Sequence, residues 1–171
     1  RVNIQKAHAH YTRALTYAEK IKDKHAKEEM KAGMLFGQAD LYRIEGNYAE
    51  ALRLVTESKE IYEKLGDQEE RLVKSYSQLG RIFVGLNELQ KAEDTFHAGF
   101  SAAHQLRRRD EMGKNLLGLG DVFLKSKEYA IAIENLYEAL EIFNDLEMKQ
   151  EAKEAKDLRA QAEVAIRQSE A

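Results

Sequence analysis

The sequence predicts an all-α fold: an α-solenoid of antiparallel helix pairs wound as a right-handed superhelix. Three observations lead there. The chain has 171 residues and no proline, where average usage of about 5% would supply roughly eight. A chain without that loop punctuation reads as helical almost throughout. Small residues recur on a fixed step. Ala39, Gly80 and Gly120 follow one another by 41 and 40 residues. Each comes four residues after a large apolar side chain and three before an aromatic one: Leu35 and Tyr42, Tyr76 and Phe83, Leu116 and Phe123. Between these marks, apolar residues recur at spacings of three and four, which places them on one stripe of a helix.

The repeat continues downstream in the same frame. Gly46-x-Tyr48-x-x-Ala51, Asn87-x-Leu89-x-x-Ala92 and Lys127-x-Tyr129-x-x-Ala132 align, and seven residues past each alanine come Ser58, Gly99 and Ala139. A backward step of 40 from Ser58 reaches Ala18, within Tyr11-x-x-x-Leu15-x-x-Ala18. Ala, Gly and Ser make up 38 of the 171 residues. Ten aligned positions all drawn from that pool by chance is an event on the order of one in a million.

The elements then follow in order. Helices are expected over 3–23, 27–44, 48–64, 68–85, 89–106, 109–125, 129–145 and 149–168. They group into a truncated first unit (1–25), three complete pairs (27–66, 67–107, 108–147) and a closing helix (149–168), all within a single repeat domain spanning 1–171. Leu35, Ala39 and Tyr42 share a face of the second helix; Tyr48, Ala51, Val55 and Ser58 share one of the third. Glu45-Gly46-Asn47 offers a glycine just past a helix end and then a polar N-cap, with Glu50 three residues on. Leu65-Gly66-Asp67, with Glu70, repeats that signal. The small residues mark where helices cross and let two backbones approach. Tyr11 stands where the complete units carry alanine, so the first unit should pack differently. The last helix has Ala152, Ala155, Leu158, Ala162 and Ala165 as its apolar positions and is charged elsewhere, which suits a cap on the end of the core.

The ladder Leu79-Gly80-x-x-Phe83, Asn87-x-Leu89-x-x-Ala92-x-x-x-Phe96-x-x-Gly99, with its two counterparts, resembles the tetratricopeptide repeat family. The family pattern runs Trp or Leu, Leu-Gly-x-x-Tyr, Ala-x-x-x-Phe and a closing Pro, on a unit of about 34 residues. Two departures stand out. The step here is 40–41, so each helix gains about a turn, and the closing proline is missing from every unit. Units of this length resemble those of kinesin light chains, Pins-type spindle adaptors and bacterial peptide-sensing regulators. The resemblance spans roughly residues 3–168 and implies a protein-interaction module. One family subtype clamps the carboxylate of chaperone tails. By alignment its clamp positions fall on Phe36, Asp40, Gln78, Lys114 and Gly118. Only Lys114 matches, and Asp40 would repel a carboxylate, so acidic chaperone tails are not expected ligands.

Composition bounds the chemistry. With 27 basic and 30 acidic residues the net charge is −3, too balanced for a dominant nucleic-acid field. No cysteine means no disulfide framework and no thiol nucleophile. No run of about 18 apolar residues and no signal peptide is present. The chain begins on Arg rather than Met, as a piece of a longer protein would. His8 and His10 point to different faces of a helix, whereas a helical zinc pair needs a spacing of about four. His97 and His104 share a face but stand roughly 10 Å apart. Gly118-Leu119-Gly120 falls mid-helix with no Lys-Ser after it, so it is not a phosphate loop. Arg107-Arg108-Arg109 sits at a helix junction; it reads as favourable charge at a helix C-terminus, or as a contact for a phosphate or acidic partner. No catalytic residue, metal ligand or cofactor is expected.

A surface is the better candidate. In a stacked solenoid the first helix of each pair lines the concave side. The stripe beside the ladder holds Gly33, Phe36, Asp40 and Arg43, then Lys74, Ser77, Gln78, Arg81 and Val84, then Lys114, Leu117, Asp121 and Leu124. The predicted peptide-binding groove is Phe36, Asp40, Arg43, Lys74, Gln78, Arg81, Lys114, Leu117 and Asp121. Apolar anchors set among basic residues suit a peptide or helix carrying apolar and acidic groups. The expected function is a cytoplasmic, non-catalytic adaptor or scaffold that binds a partner protein, with no nucleic acid, membrane or cofactor. The alternative is a regulatory sensor or self-assembly segment of a larger signalling protein, which would form homo-oligomers.

Overall fold

A computed structural model describes residues 4–169, which form eight helices with no strand among them. They are α1 (Ile4–Ala18), α2 (Lys24–Ile44), α3 (Tyr48–Leu65), α4 (Glu69–Gly85), α5 (Leu89–Gln105), α6 (Arg109–Lys125), α7 (Tyr129–Asp145) and α8 (Lys149–Ser169). From α3 onward the ends fall within one residue of those read from the repeat. The first junction differs, and residue 3, the expected start, lies outside the described residues. α1 stops at Ala18 instead of 23, because Lys20 and Ile21 turn back onto the Tyr17 and Ala18 carbonyls at 3.0 Å. α2 starts three residues early because Asp23 caps it, accepting from the Ala26 N–H at 2.7 Å.

The later turns share one design. Gly46 and Gly66 take φ of 80° and 78°; Asn87, Arg107, Lys127 and Glu147 take 60°, 53°, 64° and 55°. A left-handed residue just past a helix lets the next amide reach the carbonyl five residues earlier. The N–H groups of Asn47, Arg108, Glu128 and Met148 donate in this way to Tyr42, Ala103, Phe123 and Phe143, each at 2.8 Å. Asn47 caps α3, as expected, by accepting from the Glu50 N–H at 3.4 Å. The matching expectation for Asp67 is corrected: Gln68 is the N-cap of α4 and makes no side-chain cap bond. Asp67 lies one residue outside, where it accepts from Gln68 Nε2 at 3.0 Å and sits 3.3 Å from His25 Nε2.

The chain divides into two compact units, Arg1–Leu86 and Asn87–Ala171. In the first, α2 packs between α1 and α3, α4 packs on α3, and α4 also touches α2. That contact between next-but-one helices is the mark of stacked hairpins. The core holds Ala32, Leu35, Ala39, Ala51, Leu54, Val55, Ile61, Tyr62 and Ile82. Ser58 completes it: its hydroxyl donates to the Ala32 carbonyl at 2.8 Å, fastening α3 to α2 with no unpaired polar atom on the serine. Tyr11 does pack differently from the alanines at its place in later units. Its ring lies against the bare backbone of Gly37 on α2.

The second unit repeats this order. α6 packs on α5 and α7, and α8 packs on α7 and touches α6. Phe96, Leu136 and Phe143 are fully buried, and each rests where α6 carries a glycine: Gly118, Gly120 and Gly113. With three neighbours around it, α6 is buried without interruption from Asn115 to Gly120. α8 buries Ala155 and Ala162 and half-buries Ala152, Leu158 and Ala165, the stripe expected of a covering helix.

Candidate functional site

In the first unit the candidate residues lie on α2 and α4. Gln78, at 5% exposure, is buried between them. Its Nε2 donates to the backbone carbonyl of Phe36 at 3.1 Å, and its Oε1 has no partner. Gln78 is therefore a tie between two helices and not an open side chain. Phe36 is half-buried, packed on the core from the α2 side. Asp40 and Arg43 pair with each other one turn apart, Nη2 to Oδ1 at 2.8 Å and Nε to Oδ1 at 2.9 Å. Lys74 and Arg81 are half-buried on α4. Lys74 has no ion-pair partner among the described residues.

In the second unit the candidates lie on α6. Leu117 is 1% exposed and belongs to the core, so its place as an apolar anchor is corrected. A single-helix projection puts it beside the ladder, but α6 is covered on that side too. Asp121 pairs with Lys125, one turn on. Lys114 Nζ lies 2.8 Å from Glu111 Oε1, and Glu111 is 1% exposed. Lys114 thus neutralises a buried carboxylate. Glu111 and the fully buried Asn115, whose Nδ2 donates to the Glu111 carbonyl at 2.7 Å, are polar core residues that the repeat frame does not single out. The spacing of three between Glu111 and Lys114 is the one signal for them in the sequence.

The arginine run is not one patch. Arg107 is the left-handed turn residue. Arg108 grips Asp110 with two bonds, Nε to Oδ1 at 3.1 Å and Nη2 to Oδ2 at 3.0 Å. Burial pushes the Asp110 carboxyl up, but the Arg108 bonds and charge, with the Glu111 N–H, hold it below the ordinary carboxylate value. Arg109 reaches across to Asp145 on α7 at 2.8 Å. Among the described residues no group of three or more His, Asp or Glu is placed to hold a metal ion. No described helix is long and apolar enough to cross a membrane.

No curated protein is significantly similar to the chain in sequence. Residues 31–99 match the tetratricopeptide repeat family model. Among solved structures, the chain resembles BtubC from P. vanneervenii with a TM-score of 0.70 at 19% identity, covering 99% of this chain and 75% of that one. It resembles aspartyl phosphate phosphatase F from Bacillus subtilis with a TM-score of 0.71 at 16% identity, covering 93% of this chain and 45% of the other. A Rap protein complexed with Competence and Sporulation Factor gives 0.71 at 18% identity, covering 92% and 48%. The chain therefore spans under half the length of the latter two. The matched segment runs from α2 into α5, and the second unit packs its own helices in the same order as the first. Over residues 31–99 the chain matches the tetratricopeptide repeat family, and its likeness to these structures is one of fold.

Proposed function

We propose that the chain is a non-catalytic module that binds a peptide or helix of a partner protein, as an adaptor in the cytoplasm. The observation that carries this reading is the direct α2–α4 apposition in the first unit. Gln78 fastens the two helices, leaving half-buried Phe36 beside the Asp40–Arg43 pair, with Lys74 and Arg81 on the adjoining helix. An apolar side chain next to cations suits a ligand with one apolar anchor and acidic groups. In the second unit, Lys114 and Asp121 are held by Glu111 and Lys125, so they offer a ligand less than Lys74 does. The complex of a similarly folded Rap protein with Competence and Sporulation Factor supports a ligand-binding role. That likeness also favours a second reading, a regulatory segment of a longer protein, since the chain spans 48% of that structure.

Affinity capture with mass spectrometry tests the first reading. Partners held by the natural chain should be lost or weakened with Lys74→Glu and with Phe36→Ser, while circular dichroism and Tm show both variants folded. Undiminished capture by two folded variants would remove the α2–α4 face as the binding surface. Lys114 is left out of this test because reversing it would place a second anion against buried Glu111.

A further inference from the structure

A different surface, on the second unit, has the opposite sign. α7 is the one helix of the eight with neither lysine nor arginine. Its Glu134, Glu138 and Glu141 follow at steps of four and three down a single stripe, and all three are exposed. Beside them, α8 brings Arg159 and Glu163, and the two helices border a groove of about 610 Å³. The guanidinium there is already engaged, with Arg159 Nε 3.2 Å from Glu163 Oε1. Glu134 and Glu138 have no ion-pair partner among the described residues. Like charges one turn apart repel, and a cation laid across them would relieve that repulsion. The groove is not only charged. Tyr137 is 53% exposed along it, its hydroxyl bonded to Glu141, and half-buried Ile133 lies one turn before.

We propose that the α7–α8 groove docks a basic amphipathic segment of a partner protein, its lysines or arginines on Glu134, Glu138 and Glu141 and one apolar side chain against Tyr137 and Ile133. Charge complementarity selects this occupant. Four carboxylates line the groove; Glu163 is shared by Arg159 and by Arg167 at 4.0 Å, which leaves Glu134, Glu138 and Glu141 for a basic ligand, and a groove wall of tyrosine and isoleucine gives an apolar residue a place to bury. An acidic ligand of the kind suited to the first unit is excluded by the same carboxylates, so the two surfaces take different partners.

The probe is a fluorescein-labelled peptide of ~16 residues built from Leu and Lys, with leucines at helical spacing, read by anisotropy against the full chain. A Gly-Lys peptide of equal charge is the comparison. The amphipathic peptide should bind more tightly than the Gly-Lys one. Glu134→Gln/Glu138→Gln and, separately, Tyr137→Ala should each weaken it by about tenfold. Glu60→Gln/Glu63→Gln on α3 should leave it unchanged, and circular dichroism should show every variant folded. Equal affinity for the natural chain and Glu134→Gln/Glu138→Gln overturns the proposal. An equal loss in the α3 variant also overturns it, since net charge alone would then explain binding. So does sedimentation showing self-association that the α7 substitutions break, because the occupant would then be a second copy.

Discussion

The Phe96 ring of α5 rests on the backbone of α6 at Gly118, where any side-chain carbon would fall among its ring atoms. Ordinarily Gly→Ala inside a helix stabilises by about 1 kcal/mol. Here overpacking, typically ~1–3 kcal/mol, acts against that gain because a rigid ring in a closed core has nowhere to go. Gly118→Ala should therefore lower the Tm. Gly33→Ala should raise it, since a Cβ there meets only the Tyr62 hydroxyl at an ordinary 3.6 Å. Opposite signs for one substitution type, read by thermal unfolding, are the check; two stabilised variants would mean that α5 and α6 do not approach as described.

Four turns carry a left-handed residue that is not glycine, among them Lys127 at φ 64° and Glu147 at φ 55°. Such a backbone costs a residue with a Cβ about 1 kcal/mol or more, partly offset by the greater unfolded-state freedom of glycine. Lys127→Gly and Glu147→Gly should each stabilise by roughly 0.5 kcal/mol. Gly46→Ala should destabilise by a similar amount, although nothing crowds that position. Chemical denaturation at constant m-value measures all three.

Those turns also show where legibility stopped. Helix number and most boundaries could be read because crossings demand small residues at a fixed step, and Ala39, Ala51, Ala92 and Ala132 are all fully buried where that demand places them. Turns at Gly46 and Gly66 carry their own glycine signal; those at Arg107, Lys127 and Glu147 were placed by the repeat step alone, and their left-handed backbone was not legible because carbonyl bonds over five residues hold it whatever the side chain. The end of α1 was hidden for a related reason: its turn has neither glycine nor proline. For the candidate face, residue type could be read but exposure could not. Gln78 and Leu117 sit on the predicted stripe, yet one bridges α2 and α4 and the other is inside α6's continuous buried stretch. A helix viewed alone does not reveal how many neighbours surround it.

The Arg108–Asp110 pair makes an acid-sensitive contribution. Asp110 has a folded-state pKa below its unfolded value of about 3.9, so its stabilisation is present above that value and is lost as pH falls through the folded one. Asp110→Asn should therefore have a lower Tm than the natural chain near pH 7, and the gap should close below about pH 4. A gap independent of pH would assign the effect to packing or to the helix N-terminus instead of the guanidinium pair.

Lys114 and Lys74 are alike in type and half-burial but unlike in surroundings. Removing one partner of a buried pair leaves an uncompensated charge, at about 3–5 kcal/mol when both are fully enclosed. Lys114 keeps 29% of its side chain exposed, so solvent screens part of that penalty. Lys114→Glu, which sets a carboxylate against Glu111, should still cost roughly 2 kcal/mol, whereas Lys74→Glu should stay within about 0.5 kcal/mol. Restoring the pair in reverse, Lys114→Glu with Glu111→Lys, should recover part of the loss. The two lysines separate in urea titrations if one is structural and the other free to serve a ligand, and equal losses would mean that Lys74 too is held by the fold.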